Sequence, residues 1–197
     1  MRLALDLLLA SAIGLVLGLG SAYYAVENGA RFDATRIGPW VASPNAGTTS
    51  ADPYSAAAFA RTGELALGPG EGIAFIAGTD SSGRTLNGAC SYTLEGTTPP
   101  ARLWTLTAVT PSERNFTGRL SHRGLHSGEL LWNADGTITI TVARGAHGGN
   151  WLKLEDTGPF RLVLRLYDTP LSSGEDLITE QELTKPTMPA IHAGACS

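Results

Sequence analysis

Two nearby stretches decide the fold of this chain: residues 150–152, NWL, and residues 158–168, GPFRLVLRLYD. In the second stretch, leucine alternates with arginine, valine and tyrosine from Arg161 to Tyr167. Because successive side chains of a strand point to opposite faces of its sheet, this alternation predicts a strand with one face in a core. The opposite face carries Arg165 and Tyr167, which either meet solvent and surface carboxylates or line a shallow site.

Short apolar runs bounded by turn residues continue this pattern on both sides. They predict strands at residues 72–78, 89–94, 102–110, 129–132, 137–143 and 160–167. Residues 81–83 (SSG) and 133–136 (NADG) are typical of hairpin turns. Strands joined in this way predict an all-β fold, an antiparallel β-sandwich of jelly-roll type.

A short helix is predicted ahead of the sheet. Asp52 is a good N-cap, Pro53 stands at the first helical position, and an alanine-rich run extends to Ala60. Gly63 can take the left-handed conformation that often follows a helix.

The N-terminal segment is apolar enough to span a membrane. From Leu7 to Val26 no residue is ionisable except the tyrosines, and a helix of this length rises about 30 Å. Tyr23 and Tyr24 fall at its far end, where aromatic side chains favour the membrane interface. The alternative is a cleaved signal peptide, because residues 20–22 (GSA) offer small side chains to a peptidase.

These features predict four segments. Residues 1–6 form a cytoplasmic stub, residues 7–26 a transmembrane anchor, residues 27–51 a linker, and residues 52–197 the β-sandwich domain. The linker is predicted from its glycine, proline, serine and threonine content and its lack of a hydrophobic period. The single arginine that precedes the apolar run, Arg2, favours an N-terminus in the cytoplasm, although Arg31 and Arg36 follow it.

Only two cysteines occur, Cys90 in a predicted strand and Cys196 next to the last residue. Outside the cytoplasm, such a pair favours a disulfide bond over two free thiols. The loop that this bond would close is long, so the bond would stabilise the fold by several kcal/mol in the chain-entropy model.

Charge and motifs argue against several function classes. With 14 Lys and Arg against 18 Asp and Glu, the chain lacks the basic surface that nucleic acids require. No nucleophile elbow occurs, and the glycine-rich residues 68–72 (GPGEG) lack the Lys and Ser/Thr of a phosphate loop. His122 and His126 have metal-ligand spacing, with Glu129 as a possible third ligand, but their glycine-interrupted stretch favours a solvated loop. No cofactor and no metal site is predicted.

Three tryptophans of the predicted sheet region, Trp104, Trp132 and Trp151, favour core positions, as buried indoles usually do. The alternative is an aromatic platform for a sugar, with Trp151 as its best member because glycines precede it. Asn150 is predicted to hold its loop through hydrogen bonds from its side chain to the backbone.

Three further motifs stand in order before the NWL stretch: residues 90–94 (CSYTL), 100–106 (PARLWTL) and 135–140 (DGTITI). With their separations, these motifs resemble the DUF1214 family, a bacterial cell-envelope domain of unassigned activity, over roughly the last two thirds of the chain. One departure is residues 152–154 (LKL), where the family commonly has Leu-Pro. The resemblance implies a fold and a location in the envelope, but no reaction.

The resemblance also implies a partner, because DUF1214 domains often occur fused or adjacent to a DUF1254 domain. A separate DUF1254-type protein is therefore the expected partner of a single-pass inner-membrane protein whose domain faces the periplasm. An accessory or interaction subunit is favoured over an enzyme. The alternative is a carbohydrate-binding or carbohydrate-active envelope module, in which Asn150, Trp151, Arg165 and Tyr167 form a binding surface in one cleft.

Overall fold

The chain forms a two-sheet β-sandwich with an apolar helix at its N-terminus, as described by a computed structural model over residues 2–27, 34–62, 67–68, 70–110, 124–155, 157–172 and 187–196. The helices are α1 (Arg2–Glu27) and α2 (Pro53–Thr62), with a 3-10 turn at Pro170–Ser172. The strands are β1 (Thr35–Ile37), β2 (Trp40–Ala42), β3 (Gly72–Ala77), β4 (Cys90–Gly96), β5 (Leu103–Val109), β6 (Gly124–His126), β7 (Ile138–Ala143), β8 (Asn150–Lys153), β9 (Arg161–Tyr167) and β10 (Ala190–Cys196).

The strands divide into a six-stranded sheet, in the order β1-β2-β3-β9-β5-β6, and a four-stranded sheet, in the order β10-β4-β7-β8. Every pairing is antiparallel except that of β7 with β8, which is parallel. The predicted fold class is therefore confirmed as an all-β sandwich with a short helix and an apolar N-terminal helix, and the parallel pair makes the smaller sheet mixed.

The alternating strand β9 lies in the middle of the six-stranded sheet, between β3 and β5. Its three leucines, Leu162, Leu164 and Leu166, are each at most 1% exposed. They meet the apolar faces of the other sheet, whose buried members include Tyr92, Leu94, Ile138, Ile140, Val142, Leu152 and Ile191. Burial of this set is the main favourable term for the fold, because apolar surface leaves water.

Helix α2 is confirmed together with its cap. The carboxylate Oδ1 of Asp52 accepts hydrogen bonds from the backbone N–H groups of Tyr54 at 2.9 Å and Ser55 at 3.0 Å. These bonds satisfy two donors that a helix N-terminus leaves without an intrahelical partner. Gly63, the predicted end signal, lies outside the described residues.

The predicted linker, residues 27–51, is wrong in part, since β1 and β2 lie within it and join the six-stranded sheet. Gly38, with φ 58°, and Pro39 form the turn between these strands. Trp40 is fully buried, and its indole N–H donates to the carbonyl of Pro189 at 2.8 Å. Glycine and proline here mark a hairpin turn, which composition does not distinguish from a linker.

The strand predicted at residues 129–132 is also wrong. Strand β6 ends earlier, at His126, and Trp132 makes only an isolated bridge to Ile138. Leu130 is buried in the core, but Leu131 and Trp132 are 68% and 48% exposed, so Trp132 is not the buried indole that was expected. Trp104 is buried, as predicted.

The predicted disulfide between Cys90 and Cys196 is present. The two residues are register partners in the antiparallel pair of β4 and β10, with 3.8 Å between their Cα atoms. The bond closes a loop of 106 residues in sequence separation and fixes the end of β10 to the sheet.

Helix α1 is 26 residues long, has no buried residue, and reaches a mean hydropathy of 2.2. It is long and apolar enough to cross a membrane. Its C-terminal end contacts α2, where Arg61 forms an ion pair with Glu27. The guanidinium of Arg61 also lies 5.5 Å from the centre of the Tyr23 ring.

Candidate functional site

Asn150, the first residue of β8, fixes a neighbouring loop through its side-chain amide. Its Oδ1 accepts a hydrogen bond from the N–H of Leu131 at 2.8 Å, and its Nδ2 donates to the carbonyl of Leu131 at 2.8 Å. The same Nδ2 donates to the carbonyl of Thr139 at 3.0 Å. The amide therefore pairs with both backbone groups of Leu131, as a strand residue would. As predicted, Asn150 binds backbone groups through its side chain, but they belong to Leu131 and Thr139 and not to its own loop, which was the predicted partner.

Leu131 and Trp132, here called the 131–132 tip, are held from the other side as well. Trp132 bridges Ile138, and the following turn is closed by a bond from the N–H of Asn133 to the carbonyl of Thr137 at 2.9 Å. At the end of this turn, Gly136 has φ 78°. The tip is therefore an exposed apolar pair on a backbone fixed at both ends, which is uncommon for a loop.

Trp151 is half-buried on β8, next to Asn150. Its indole N–H donates to the carbonyl of Ala143 at 3.0 Å. Because Leu152 points into the core, Trp151 points to the outer face of the four-stranded sheet, beside its register partner Thr141. This hydrogen bond fixes the position of the ring along the strand, and it gives a partner to the only polar group of the ring, the indole N–H.

Arg165 and Tyr167 lie on β9 and are both half-buried. They alternate with inward-pointing leucines, so they share the outer face of the six-stranded sheet. Asn150 and Trp151 belong to the other sheet. Arg165 and Tyr167 share one face of their sheet, whereas the consecutive residues Asn150 and Trp151 point to opposite faces of the other sheet, so the structure does not bring the four side chains into the single cleft that was predicted.

Asp80 is a buried carboxylate that sequence reasoning missed. It is 3% exposed and accepts hydrogen bonds from the hydroxyl of Ser82 at 2.6 Å and from the backbone N–H of Ser82 and of Arg84 at 2.9 and 3.0 Å. Its Oδ2 also accepts from Nε of Arg84 at 3.0 Å. These bonds, the Ser82 hydroxyl first, lower the pKa of Asp80 from 3.8 to about 2, although burial acts in the opposite direction.

The turn that contains Asp80 forms hydrogen bonds to the last strand, β10. Next to Asp80, the N–H of Ser81 donates to the carbonyl of Ile191 at 2.9 Å, and the hydroxyl of Ser81 accepts from the N–H of Ile191 at 2.8 Å. Asp80 therefore has a structural role, since it orders the turn that pairs with β10. The serine, glycine and arginine around it predicted a turn but gave no sign of this pairing.

His126 is the last residue of β6, not a loop residue as predicted, and it contacts Glu129 with 3.4 Å between Nε2 and Oε2. Glu129 also accepts a bond from the N–H of His126 at 2.9 Å. Within the residues that the structure describes, no group of three metal-binding side chains occurs. His122 lies outside those residues.

Comparison with known proteins places this geometry in a family. The crystal structure of the VPA0106 protein from Vibrio parahaemolyticus matches with a TM-score of 0.57 and 19% sequence identity, over 96% of this chain and 46% of that chain. A putative uncharacterised protein from Burkholderia cenocepacia matches with a TM-score of 0.40 and 16% identity, over 66% of this chain and 30% of that one. No curated protein matches.

The first of these structures shares the fold, and this chain spans less than half of its length. The family model of DUF1214, described as a protein of unknown function, matches residues 71–171. The matched range runs from the turn before β3 into the 3-10 turn after β9, and it contains the NWL stretch and the alternating strand. It covers just over half of the 197 residues, and the chain therefore belongs to the DUF1214 family.

Proposed function

We propose that the chain is a single-pass protein of the bacterial inner membrane, whose β-sandwich faces the periplasm and works by interaction, as an accessory or scaffold subunit. The observation that carries this proposal is the exposure of α1, which buries none of its 26 residues. An apolar helix that touches its own chain only at its C-terminal end and buries no residue requires another apolar environment, and a bilayer supplies one. Residues 7–26 are the proposed anchor, and residues 1–6 the cytoplasmic stub.

The disulfide supports the proposed compartment. Disulfide bonds form and persist in oxidising compartments such as the periplasm and are rare in the cytosol. The bond between Cys90 and Cys196 therefore supports a sandwich on the periplasmic side of the membrane.

The proposed partner is a DUF1254-type protein. DUF1214 domains often occur fused or adjacent to a DUF1254 domain, and the chain belongs to DUF1214. The partner would meet the sandwich on the periplasmic side, where membrane anchoring restricts the search for it to the surface of one bilayer.

Affinity purification from the membranes of the native cell tests the partner. The full chain, tagged after Ser197, is crosslinked in intact cells, solubilised in mild detergent and purified, and the bound proteins are identified by mass spectrometry. We expect a DUF1254-type protein among the enriched proteins. The matched control is α1 with residues 28–34 fused to an unrelated exported domain, which should not enrich it.

Two outcomes would contradict the proposal. If no DUF1254-type protein is recovered after crosslinking, the partner is wrong. If the control enriches it equally, the membrane segment rather than the sandwich makes the contact.

The carbohydrate alternative is not proposed. It required Asn150 and Trp151 to converge with Arg165 and Tyr167, and these pairs lie on different sheets. The side-chain amide of Asn150 is also bonded to the backbone of Leu131 and Thr139. The amide oxygen and N–H groups that would bind a sugar therefore already have hydrogen-bond partners.

A further inference from the structure

The disulfide between Cys90 and Cys196 lies at the exposed edge of the four-stranded sheet. Strand β10 is the outermost strand of this sheet, next to β4. Cys196 is exposed, whereas Cys90 is half-buried and packs against the core. Because an attacking thiolate must reach a disulfide sulfur, this difference in exposure favours reaction at Cys196.

The chain that leads to Cys196 leaves room for another protein. The two residues before it, Gly194 and Ala195, are small and exposed. Ile191 binds Ser81 through its outward N–H and carbonyl, but beyond Ile191 none of the described elements pairs with this edge of β10. The edge backbone of an extended segment can pair with a strand of another protein. The end of β10 therefore offers a partner an accessible sulfur next to a strand edge.

The start of β10 is fixed without the disulfide. Ile191 is 1% exposed in the core and is bonded to Ser81 on both sides of its peptide. The carbonyl of Pro189, just before the strand, accepts a bond from the indole of Trp40 at 2.8 Å. Neither contact involves a cysteine, so both keep the first half of β10 in the sandwich when the disulfide is broken.

The end of β10 depends on the disulfide. The register between β10 and β4 shifts after Ala193. Beyond this shift, the described side-chain contacts with β4 are the disulfide, a 3.3 Å bond from the hydroxyl of Ser91 to the carbonyl of Ala195, and the close approach of Gly194 to Ser91. Strand ends with few buried apolar contacts open at a low free-energy cost. Breaking the disulfide therefore frees residues 194–196 alone.

Cys90 stays in position when the end of β10 is free. Its N–H donates to the carbonyl of Asn87 at 3.0 Å, and the N–H of Asn87 donates to the hydroxyl of the buried Tyr92 at 2.8 Å. Five residues separate the fixed Ile191 from Cys196, so the second sulfur stays at a high effective concentration near the first. The bond can therefore open and close without refolding of the sandwich.

We propose that the Cys90–Cys196 disulfide is a reversible site of thiol–disulfide exchange, which a protein with a reactive dithiol opens through Cys196. A thiolate of this protein attacks Sγ of Cys196 and forms a mixed disulfide, and Cys90 leaves as a thiolate. The second thiolate of the dithiol protein then attacks its own sulfur in the mixed disulfide and releases Cys196.

Two electrons pass from the dithiol to the Cys90–Cys196 bond in this exchange. The dithiol becomes a disulfide, and the two protons of its thiols end on Cys90 and Cys196. Residues 194–196 then leave the edge of the sheet. The inference does not depend on the membrane anchor or on the DUF1254-type partner.

The rate of reduction in the folded chain tests access to the bond. The full chain in mild detergent, with or without denaturing urea, is treated with dithiothreitol, and thiols alkylated at intervals are counted by mass spectrometry. A bond that opened only by global unfolding would be reduced about 10³-fold or more slowly in the folded chain, because folded domains outnumber unfolded ones by at least that factor. We expect the folded chain to be slower by less than about a hundredfold. A larger difference overturns the proposal.

A trapping protein identifies the sulfur that is attacked. A thioredoxin-type dithiol protein, with its second cysteine replaced by serine, stops at the mixed disulfide. We expect peptide mapping to find it attached to Cys196. Attachment mainly to Cys90, or no adduct with the folded chain, contradicts the proposed exchange.

Hydrogen exchange tests the release of the strand end. Reduction should make exchange faster from Ala193 onward and leave it slow at Ile191. The matched control combines Cys90→Ser with Cys196→Ser, and it should exchange like the reduced wild type whether or not dithiothreitol is present. Fast exchange throughout β4 and β10 after reduction would mean that the bond holds the whole sheet. Unchanged exchange would mean that the end stays bound. Either result overturns the inference.

Discussion

At the scale of single residues, Asp80 shows how a surface turn can be ordered by one carboxylate. Its hydrogen bonds favour the charged form, so its pKa falls to about 2. A group with a lowered folded-state pKa stabilises the fold fully above its unfolded-state pKa, 3.8, and loses that contribution as the pH falls through about 2. The shift corresponds to about 2 kcal/mol.

We expect Asp80→Asn to lower the free energy of unfolding at neutral pH by about 1–3 kcal/mol, because buried donors lose a charged acceptor. The variant should also lose less stability than the wild type between pH 4 and pH 2, which urea unfolding in detergent at a series of pH values would measure. The control is Asp135→Asn, whose carboxylate also has a lowered pKa through Thr137 but is exposed. If the free energies of unfolding of both variants change alike with pH, the burial of Asp80 does not explain its contribution to stability.

At the scale of elements, the sequence predicted correctly those features that depend on interactions within a few residues. The leucine alternation of β9 and the Asp52 cap of α2 both act within a few residues, and both predictions were right. Strands β1, β2 and β8 are three or four residues long, too short to show a period. Strand β10 has seven, but small and exposed residues fill its end, so no alternation marks it.

The candidate site was predictable only in part, for the same reason. Asparagine next to a glycine pair indicates a side chain that binds backbone, and Asn150 does so. Its partner, Leu131, is 19 residues away and is reached only because β8 pairs with β7 in parallel. The apolar run at residues 129–132 suggested a buried strand, since composition does not show which apolar residues a fold leaves exposed.

Strand β10 provides a prediction at this scale. Its end is held by the disulfide, whereas its start is held by Ser81 and by the Trp40 bond to Pro189. Cys90→Ser and Cys196→Ser should each lower the free energy of unfolding by about 2–5 kcal/mol. Hydrogen exchange should become faster from Cys196 back to Ala193, and should stay slow at Ile191. The control Ser91→Ala removes only a 3.3 Å bond to Ala195 and should change neither measurement. If the two cysteine variants differ in stability, one of the cysteine side chains contributes to stability through contacts other than the disulfide bond.

At the scale of the whole molecule, the apolar helix and the disulfide support the proposed topology by independent physical arguments. One depends on the thickness of a bilayer and the other on the redox state of a compartment. The proposed topology, with the N-terminus in the cytoplasm and the sandwich outside, satisfies both. A topology reversed across the membrane would place Cys90 and Cys196 among cytosolic reductants, where the bond would be lost.

A pair of C-terminal fusions tests this topology, and N-terminal sequencing of the mature chain tests retention of the helix. After Ser197, a reporter active only when exported should be active, and a reporter that fluoresces only in the cytoplasm should be dark. Deleting residues 2–22 should reverse both signals, because this deletion removes the apolar segment that would direct the chain across the membrane. If the mature chain begins at Tyr23, the segment is a cleaved signal peptide. Tyr23 and Glu27 would still reach Arg61, but α1 would be too short to hold the sandwich at the bilayer.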